Sequence, residues 1–291
     1  MSAAPIAQRE TTVAGTRLAY LEAGRGPTVV LLHGFPDNAW TWEHQLEGLA
    51  QAGCHAVAPF LPGFPPSAVV DGELRMGDIF EPLAALLREL GRPVALVGHD
   101  WGATVSYQLA AAEPELLSCA AMLAVPHPAA SGAVLFDPAL VKENFHHWFF
   151  QLEGLPELAF ETNDYAFVDF FWREWSVGEP EAAHLERLKR ETFAQPGATA
   201  AAVGYYRAMY RAIRAGELTL EPITVPSLVV FGAQDPHRQL AAGRPEPHFS
   251  GEYRFELIDG AFHFLQREQP QALTDLLVDW VAAHQPSRLA S

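Results

Sequence analysis

Short apolar runs alternate with amphipathic stretches along this chain, the pattern that builds a mostly parallel sheet covered on both faces. The predicted strands are Thr28–Leu32, His55–Ala58, Pro93–Val97, Ala120–Val125, Ser227–Phe231 and Tyr253–Ile258, and Arg17–Glu22 is predicted to lie in an earlier antiparallel hairpin. Helices are predicted over Ile79–Leu90, Ala103–Ala112 and Gln271–His284; in the last, Leu273, Leu276, Leu277, Trp280 and Val281 fall at a spacing of three to four residues. The alternation stops after Pro126-His-Pro128. From Ala129 to Gly216 the chain reads as helical and aromatic, with clusters at Phe145–Phe150, Phe167–Trp175 and Tyr205–Tyr210. Strand pattern returns near Ile223-Thr-Val-Pro226. The expected organisation is therefore an α/β core made of residues 1–128 and 217–291, with 129–216 inserted as a helical unit closing over one end of the strands.

Composition removes several functional classes. In 291 residues, 19 Lys+Arg stand against 35 Asp+Glu, giving a net charge of −16. Nucleic-acid phosphates and anionic lipid both reward a basic face, so neither is an expected partner. Only Cys54 and Cys119 are present, too few for a disulfide framework or a zinc site built mainly on cysteine. No segment approaches 18 consecutive apolar residues, and Met1–Arg9 lacks the apolar run of a signal peptide. The expectation is a soluble cytoplasmic protein, monomer or homodimer, without an internal repeat. A 49% hydrophobic share with 18 Phe is ample for a sizeable core.

The strongest chemical signal is Val94-Ala-Leu-Val-Gly98-His-Asp100-Trp-Gly102-Ala-Thr, a strand running into Gly-x-Asp-x-Gly and straight into a helix. Two glycines around a polar residue allow the strained turn that holds a nucleophile above a sheet. The common form has Ser at its centre, which needs a base before it can attack. A carboxylate of pKa near 4 is already ionised about a thousandfold at pH 7, and the helix N-terminus favours its charge. Asp100 could therefore attack an electrophilic sp³ carbon directly and form an ester. The alternative is an Asp that merely caps the helix beginning at Trp101.

Three further segments bear on this site. Val29-Val-Leu-Leu-His33-Gly34-Phe35-Pro36-Asp37 is a strand ending in a loop whose Phe35 N–H, with that of Trp101, could form an oxyanion hole. An ordinary strand-exit turn reads equally well there. Leu228-Val-Val-Phe-Gly232-Ala-Gln-Asp235-Pro ends a strand in an acid-bearing turn, and Ile258-Asp-Gly-Ala-Phe-His263 places a histidine before the final helix. Nucleophile, acid, histidine is the order this architecture uses. Twelve histidines make any single one ambiguous, and Asp259 is a rival acid, although it sits as a turn former beside Gly260. In the insertion, Asn144-Phe-His146-His147-Trp148 and Gly204-Tyr-Tyr206-Arg offer polar groups that could donate to a leaving oxygen or halide. Spacing does not choose among them, and most of the aromatic content should be packing.

With these residues in hand, the chain resembles the α/β-hydrolase superfamily over nearly its full length. Within it, the chain is similar to the aspartate-nucleophile branch of epoxide hydrolases and haloalkane dehalogenases, most of all to bacterial soluble epoxide hydrolases. The motifs are His33-Gly-Phe-Pro36, Gly98-His-Asp-Trp-Gly102, Gly232-Ala-Gln-Asp235 and Gly260-Ala-Phe-His263-Phe-Leu-Gln. The resemblance implies an eight-stranded, mostly parallel sheet flanked by helices, with an inserted helical cap. It implies Asp100 as nucleophile, Asp235 as charge-relay acid, His263 as base, and Phe35 and Trp101 as oxyanion donors. Tyr206 matches the cap tyrosine that polarises an epoxide oxygen. Its usual partner is a second tyrosine, at a position that falls here on His146, with His147 adjacent. Pro36, His147 and Trp148 are candidate substrate contacts. The implied reaction turns a small hydrophobic epoxide into a vicinal diol without cofactor or metal. The alternatives are a haloalkane dehalogenase with the same nucleophile and a catalytically silent binding protein. Fluoroacetate-type enzymes place arginines where this chain has Trp101 and Thr104, which argues against a carboxylate substrate.

Overall fold

The structure is a computed structural model that describes residues 5–70, 72–91, 93–130, 137–217, 221–238 and 248–284. Eight strands form one sheet: β1 Ala7–Val13, β2 Thr16–Gly24, β3 Thr28–Leu32, β4 His55–Pro59, β5 Val94–His99, β6 Leu117–Leu123, β7 Ser227–Gly232 and β8 Tyr253–Ile258. Their spatial order is β1-β2-β4-β3-β5-β6-β7-β8. The β1–β2 hairpin and its junction with β4 are antiparallel, and every other pairing is parallel. The helices are α1 Glu43–Gln51, α2 Met76–Glu89, α3 Trp101–Ala112, α4 Val141–Phe149, α5 Leu155–Glu161, α6 Ala166–Glu174, α7 Ala182–Leu188, α8 Ala198–Ala215, α9 Leu265–Glu268 and α10 Pro270–His284. A single π turn, Lys189–Phe193, follows α7.

Alternation along the strands divides the core in two. Val30, Leu32, Leu96, Val229 and Phe231 face the layer containing α2 and α3, whereas Val29, Leu31, Val97, Leu228 and Val230 face α1 and α10. Both faces are buried, so these strands read as continuous apolar runs. In α10, Leu273, Leu277, Trp280 and Val281 are buried on one stripe, each side chain worth roughly 1.5–3 kcal/mol on leaving water. Leu276 is partly buried at its edge.

The sixth strand differs from its predicted span. It starts three residues earlier, because Leu117 pairs beside Val94, and it ends at Leu123. Ala124 takes φ of +62°, turning the chain out of the sheet. Between β6 and β7 the described residues contain helices, turns and irregular chain, with one isolated bridge residue, Ile223; residues 131–136 and 218–220 of that span lie outside the description. Aromatic side chains from these helices (Phe150, Phe160, Phe171, Trp172) join the core layer of α2 and α3 and pack over the strand ends.

Candidate active site

Loops at the carboxyl ends of parallel strands converge on one point, where open α/β sheets place their ligands. The loop after β3 brings Phe35, the turn after β5 brings Asp100, and the loops after β7 and β8 bring Asp235 and His263.

Asp100 sits on the turn between β5 and α3 with φ +51° and ψ −113°, a conformation L residues adopt only under constraint. The constraint is close packing: a Cβ on Gly102 would lie 2.1 Å from the Leu32 carbonyl oxygen. Asp100 makes no side-chain capping bond to its own helix. Instead, the Phe35 N–H donates to its Oδ1 at 2.7 Å, and the Trp101 N–H also favours the carboxylate. Burial nevertheless holds the Asp100 pKa above the ordinary carboxylate value, with attraction from His263 and those N–H groups opposing the rise. The carboxyl is thus less readily ionised than the free side chain assumed from sequence, because the site removes water.

The Phe35 loop is set by a buried histidine. Leu61 N–H donates to His33 Nε2 at 3.0 Å, so Nδ1 carries the proton and donates to the Gly34 carbonyl at 3.0 Å. Burial lowers the His33 pKa to about 4, keeping the ring neutral. His99 likewise fixes the other loop: its Nε2 donates to the His263 carbonyl at 2.8 Å while Nδ1 faces Gln266 Nε2 at 3.3 Å. Burial takes His99 down to about 3.

His263 lies between the two carboxylates. Its Nε2 is 3.7 Å from Asp100 Oδ2, and its Nδ1 is 4.0 Å from Asp235 Oδ2. These are ion-pair separations longer than a hydrogen bond. Burial alone would lower the His263 pKa, but Asp235 and Asp100 outweigh it and raise the value above 6.5. Asp235 is fully buried; burial would raise its pKa, but the imidazoles of His237 and His263 outweigh it and keep the value below the ordinary one.

Tyr206 of α8 is buried with its ring edge-on to Trp101 at 5.1 Å. Burial and the nearby Asp100 charge keep the phenol's pKa well above 10, with the adjacent Trp101 side chain opposing the rise. It stays protonated, with its own hydrogen available. His146 and His147 both pack edge-on against this ring, at centroid distances of 5.2 and 5.0 Å. Burial, reinforced by neighbouring imidazoles, depresses both, His147 to about 3, so each is a neutral group near pH 7.

A cavity of about 400 Å³ opens over Asp100. His146, His147 and Tyr206 line it opposite His263, and no Lys or Arg is among its described lining residues. The profile of the α/β-hydrolase fold family matches residues 27–270. The chain belongs to the α/β-hydrolase fold family. An α/β-hydrolase superfamily protein of Bacillus subtilis, YfhM, is 31% identical over 283 residues, spanning 92% of this chain and 95% of that one. Epoxide hydrolase A of Mycobacterium tuberculosis is 29% identical over 308 residues, covering 92% and 94%. Among solved structures, epoxide hydrolase A from Mycobacterium thermoresistibile superposes with a TM-score of 0.81 at 29% identity, covering 97% and 99% of the two chains.

Not every candidate contact of this hydrolase reaches the cavity. Pro36 and Trp148 are absent from its described lining; Pro36 offers its carbonyl to Trp172 Nε1 at 3.2 Å. On α4, successive residues are about 100° apart, so His146 and His147 straddle the cavity-facing stripe and Trp148 falls beyond it. Other lining residues were not singled out from sequence. Trp175 lies edge-on to His263 at 5.3 Å and accepts the His263 N–H on its carbonyl at 3.1 Å. His237 lines the cavity two residues after Asp235. Its signal was the Asp-Pro-His turn, in which an Asp side chain captures the N–H two residues on.

Proposed function

We propose that this chain hydrolyses a small hydrophobic epoxide to a vicinal diol through an ester on Asp100, with residues 129–216 acting as a cap that supplies the proton donor. The observation that carries this reading is the buried, protonated Tyr206 phenol that lines the same cavity as Asp100, edge-on to Trp101. No Lys or Arg stands among the described lining residues to hold an anionic substrate, which suits a neutral one, and relatives named epoxide hydrolases match nearly the full chain.

In the first step Asp100 Oδ2, the oxygen not held by Phe35, attacks a ring carbon. The carbon–oxygen bond breaks, and the ring oxygen takes the Tyr206 proton, with His146 and His147 as neutral groups against the phenol. In the second, His263 takes a proton from water, and the hydroxide adds to the acyl carbon. The oxyanion forms on Oδ1, to which the Phe35 N–H already donates, with the Trp101 N–H beside the carboxyl; losing one such donor costs about 3–4 kcal/mol. Collapse expels the second oxygen, which receives the proton from His263. Asp100 is left as the acid and returns its proton to the Tyr206 phenolate, so one water is consumed.

The test is intact mass of His263→Gln exposed separately to epoxides and haloalkanes. A gain of the whole epoxide mapped to Asp100 is expected, forming about 100-fold more slowly when Tyr206→Phe is added. A gain of an alkyl group without halogen would establish dehalogenation instead. A folded variant that gains nothing across the panel would sink covalent catalysis and leave a binding role.

A further inference from the structure

The charge-relay acid serves two imidazoles. Asp235 Oδ1 accepts the His237 backbone N–H at 2.8 Å and lies 3.0 Å from His237 Nδ1. A ring nitrogen facing a carboxylate oxygen at that distance must carry the proton, so this is a second donated bond. The turn is tied down further by Arg238 Nη1 donating to the Asp235 carbonyl at 2.7 Å and by Asp235 N–H donating to the Gly232 carbonyl at 3.1 Å. With two bonds on Oδ1 the carboxylate cannot rotate freely. Its other oxygen, Oδ2, has no hydrogen-bond partner among the described residues and stands 4.0 Å from His263 Nδ1.

We propose that His237 is a positioning residue for the charge relay: its ring clamps Asp235 Oδ1, aims Oδ2 at His263 and takes up part of the carboxylate charge. The inference rests on the triad roles proposed above. A carboxylate that gives part of its charge to one imidazole attracts the proton of the other less strongly, so His237 sets how basic His263 is. That basicity is what the second step draws on.

The surroundings of both rings are defined. His263 faces Asp100, Asp235 and Glu268, and its ring packs against His99 at 4.7 Å. His146 also feels its charge. His237 faces Asp235 from its own turn and, across the cavity, His146 and His147 of α4. Removing the His237 ring removes a donor to Asp235 and frees the carboxylate to swing towards His263. Both effects push the His263 pKa the same way, upward.

The experiment is an NMR titration of histidine-labelled full-length protein, with the His263 signal identified by its loss in His263→Gln. His237→Leu and His237→Ala remove the donor with and without comparable bulk, so a fold lost in one is read in the other. Both are expected to raise the His263 pKa by about one unit, and to move the acid limb of the pH–rate profile to higher pH. His237→Asn, whose amide N–H reaches the Nδ1 position, should stay near the native value. A His263 pKa unchanged or lowered in both donor-less variants overturns the proposal, as does an Asn variant that behaves like them. A purely structural His237 would lower thermal stability and turnover without moving the titration. The titration needs no substrate, so it is readable even if no epoxide adduct ever forms.

Discussion

At Asp100 the local chemistry and the surroundings pull in opposite directions. The residue occupies a backbone conformation that costs of order 1–3 kcal/mol, in a site whose burial raises its pKa. A group with a raised folded-state pKa contributes stability that is fully present below its unfolded value and lost as pH rises through the folded value. At pH 7 the ionised Asp100 therefore weakens the fold. Asp100→Asn keeps an oxygen for the Phe35 N–H and removes the charge. It should abolish turnover, by at least about a thousandfold, while raising Tm by roughly 2–4 °C at pH 7. The gain should fade towards pH 3, and thermal melts at several pH values check it; a lower Tm at pH 7 would show that the charge is compensated. The placing of this residue on a strained strand-to-helix turn was legible in the sequence because Gly98-His-Asp-Trp-Gly102 is a local motif. Its ionisation cost was not, since that depends on how much water the distant helical segment excludes.

At the element scale, the turn works because α3 lies against β3 with almost nothing between. The same contact that strains Asp100 leaves no room at Gly102, where an added Cβ would meet backbone rather than a yielding side chain. Gly102→Ala should lower stability by about 1–3 kcal/mol as α3 is forced off β3. Activity should fall with it, unlike in Asp100→Asn, where the two part company. Denaturant melts together with turnover measure both, and an unperturbed fold would mean that α3 can shift without strain. Strand and helix positions followed their periodicity closely, as Thr28–Leu32 and Tyr253–Ile258 show. The end of β6 did not, because Val125 is apolar enough to continue a strand and only the turn at Ala124 stops it. On α4 the sequence left His146 against His147 open, and the helix places both rings against Tyr206.

Across the whole molecule, the helical segment is fastened to the loop that carries Phe35. His184 Nε2 meets Asp37 Oδ1 at 2.9 Å, Asn38 Nδ2 donates to Thr192 Oγ1 at 2.9 Å, and Trp172 Nε1 reaches the Pro36 carbonyl. Tyr205 adds a bond from its hydroxyl to the Pro62 carbonyl at 2.6 Å. Burial would raise the Asp37 pKa, but His184 and the bonds from Thr41 and Asn38 outweigh it and hold it below the ordinary value. A depressed pKa gives stability that is present above the unfolded value, 3.8, and lost as pH falls through the folded one. Asp37→Asn should therefore cost about 3–5 kcal/mol at pH 7, the range for breaking one partner out of a buried pair. The deficit should shrink below pH 4, and pH-dependent denaturant melts would show it. A double variant with His184→Asn should lose less than the sum of the single losses; simple additivity would mean the pair is not coupled.

What the sequence determined by itself is whatever repeats or sits close along the chain. The alternation of strands and helices, the elbow around Asp100 and the order of Asp100, Asp235 and His263 are all local patterns with a period or a motif. Tertiary structure alone decided the rest: the placing of Asp235 opposite His263, the packing of Trp175 against His263, and the tie between residues 37 and 184, which are 147 positions apart. Such contacts have no signature in the sequence. They arise when separately encoded elements bury their apolar faces together, and whatever polar groups then meet must share the protons and charges they carry.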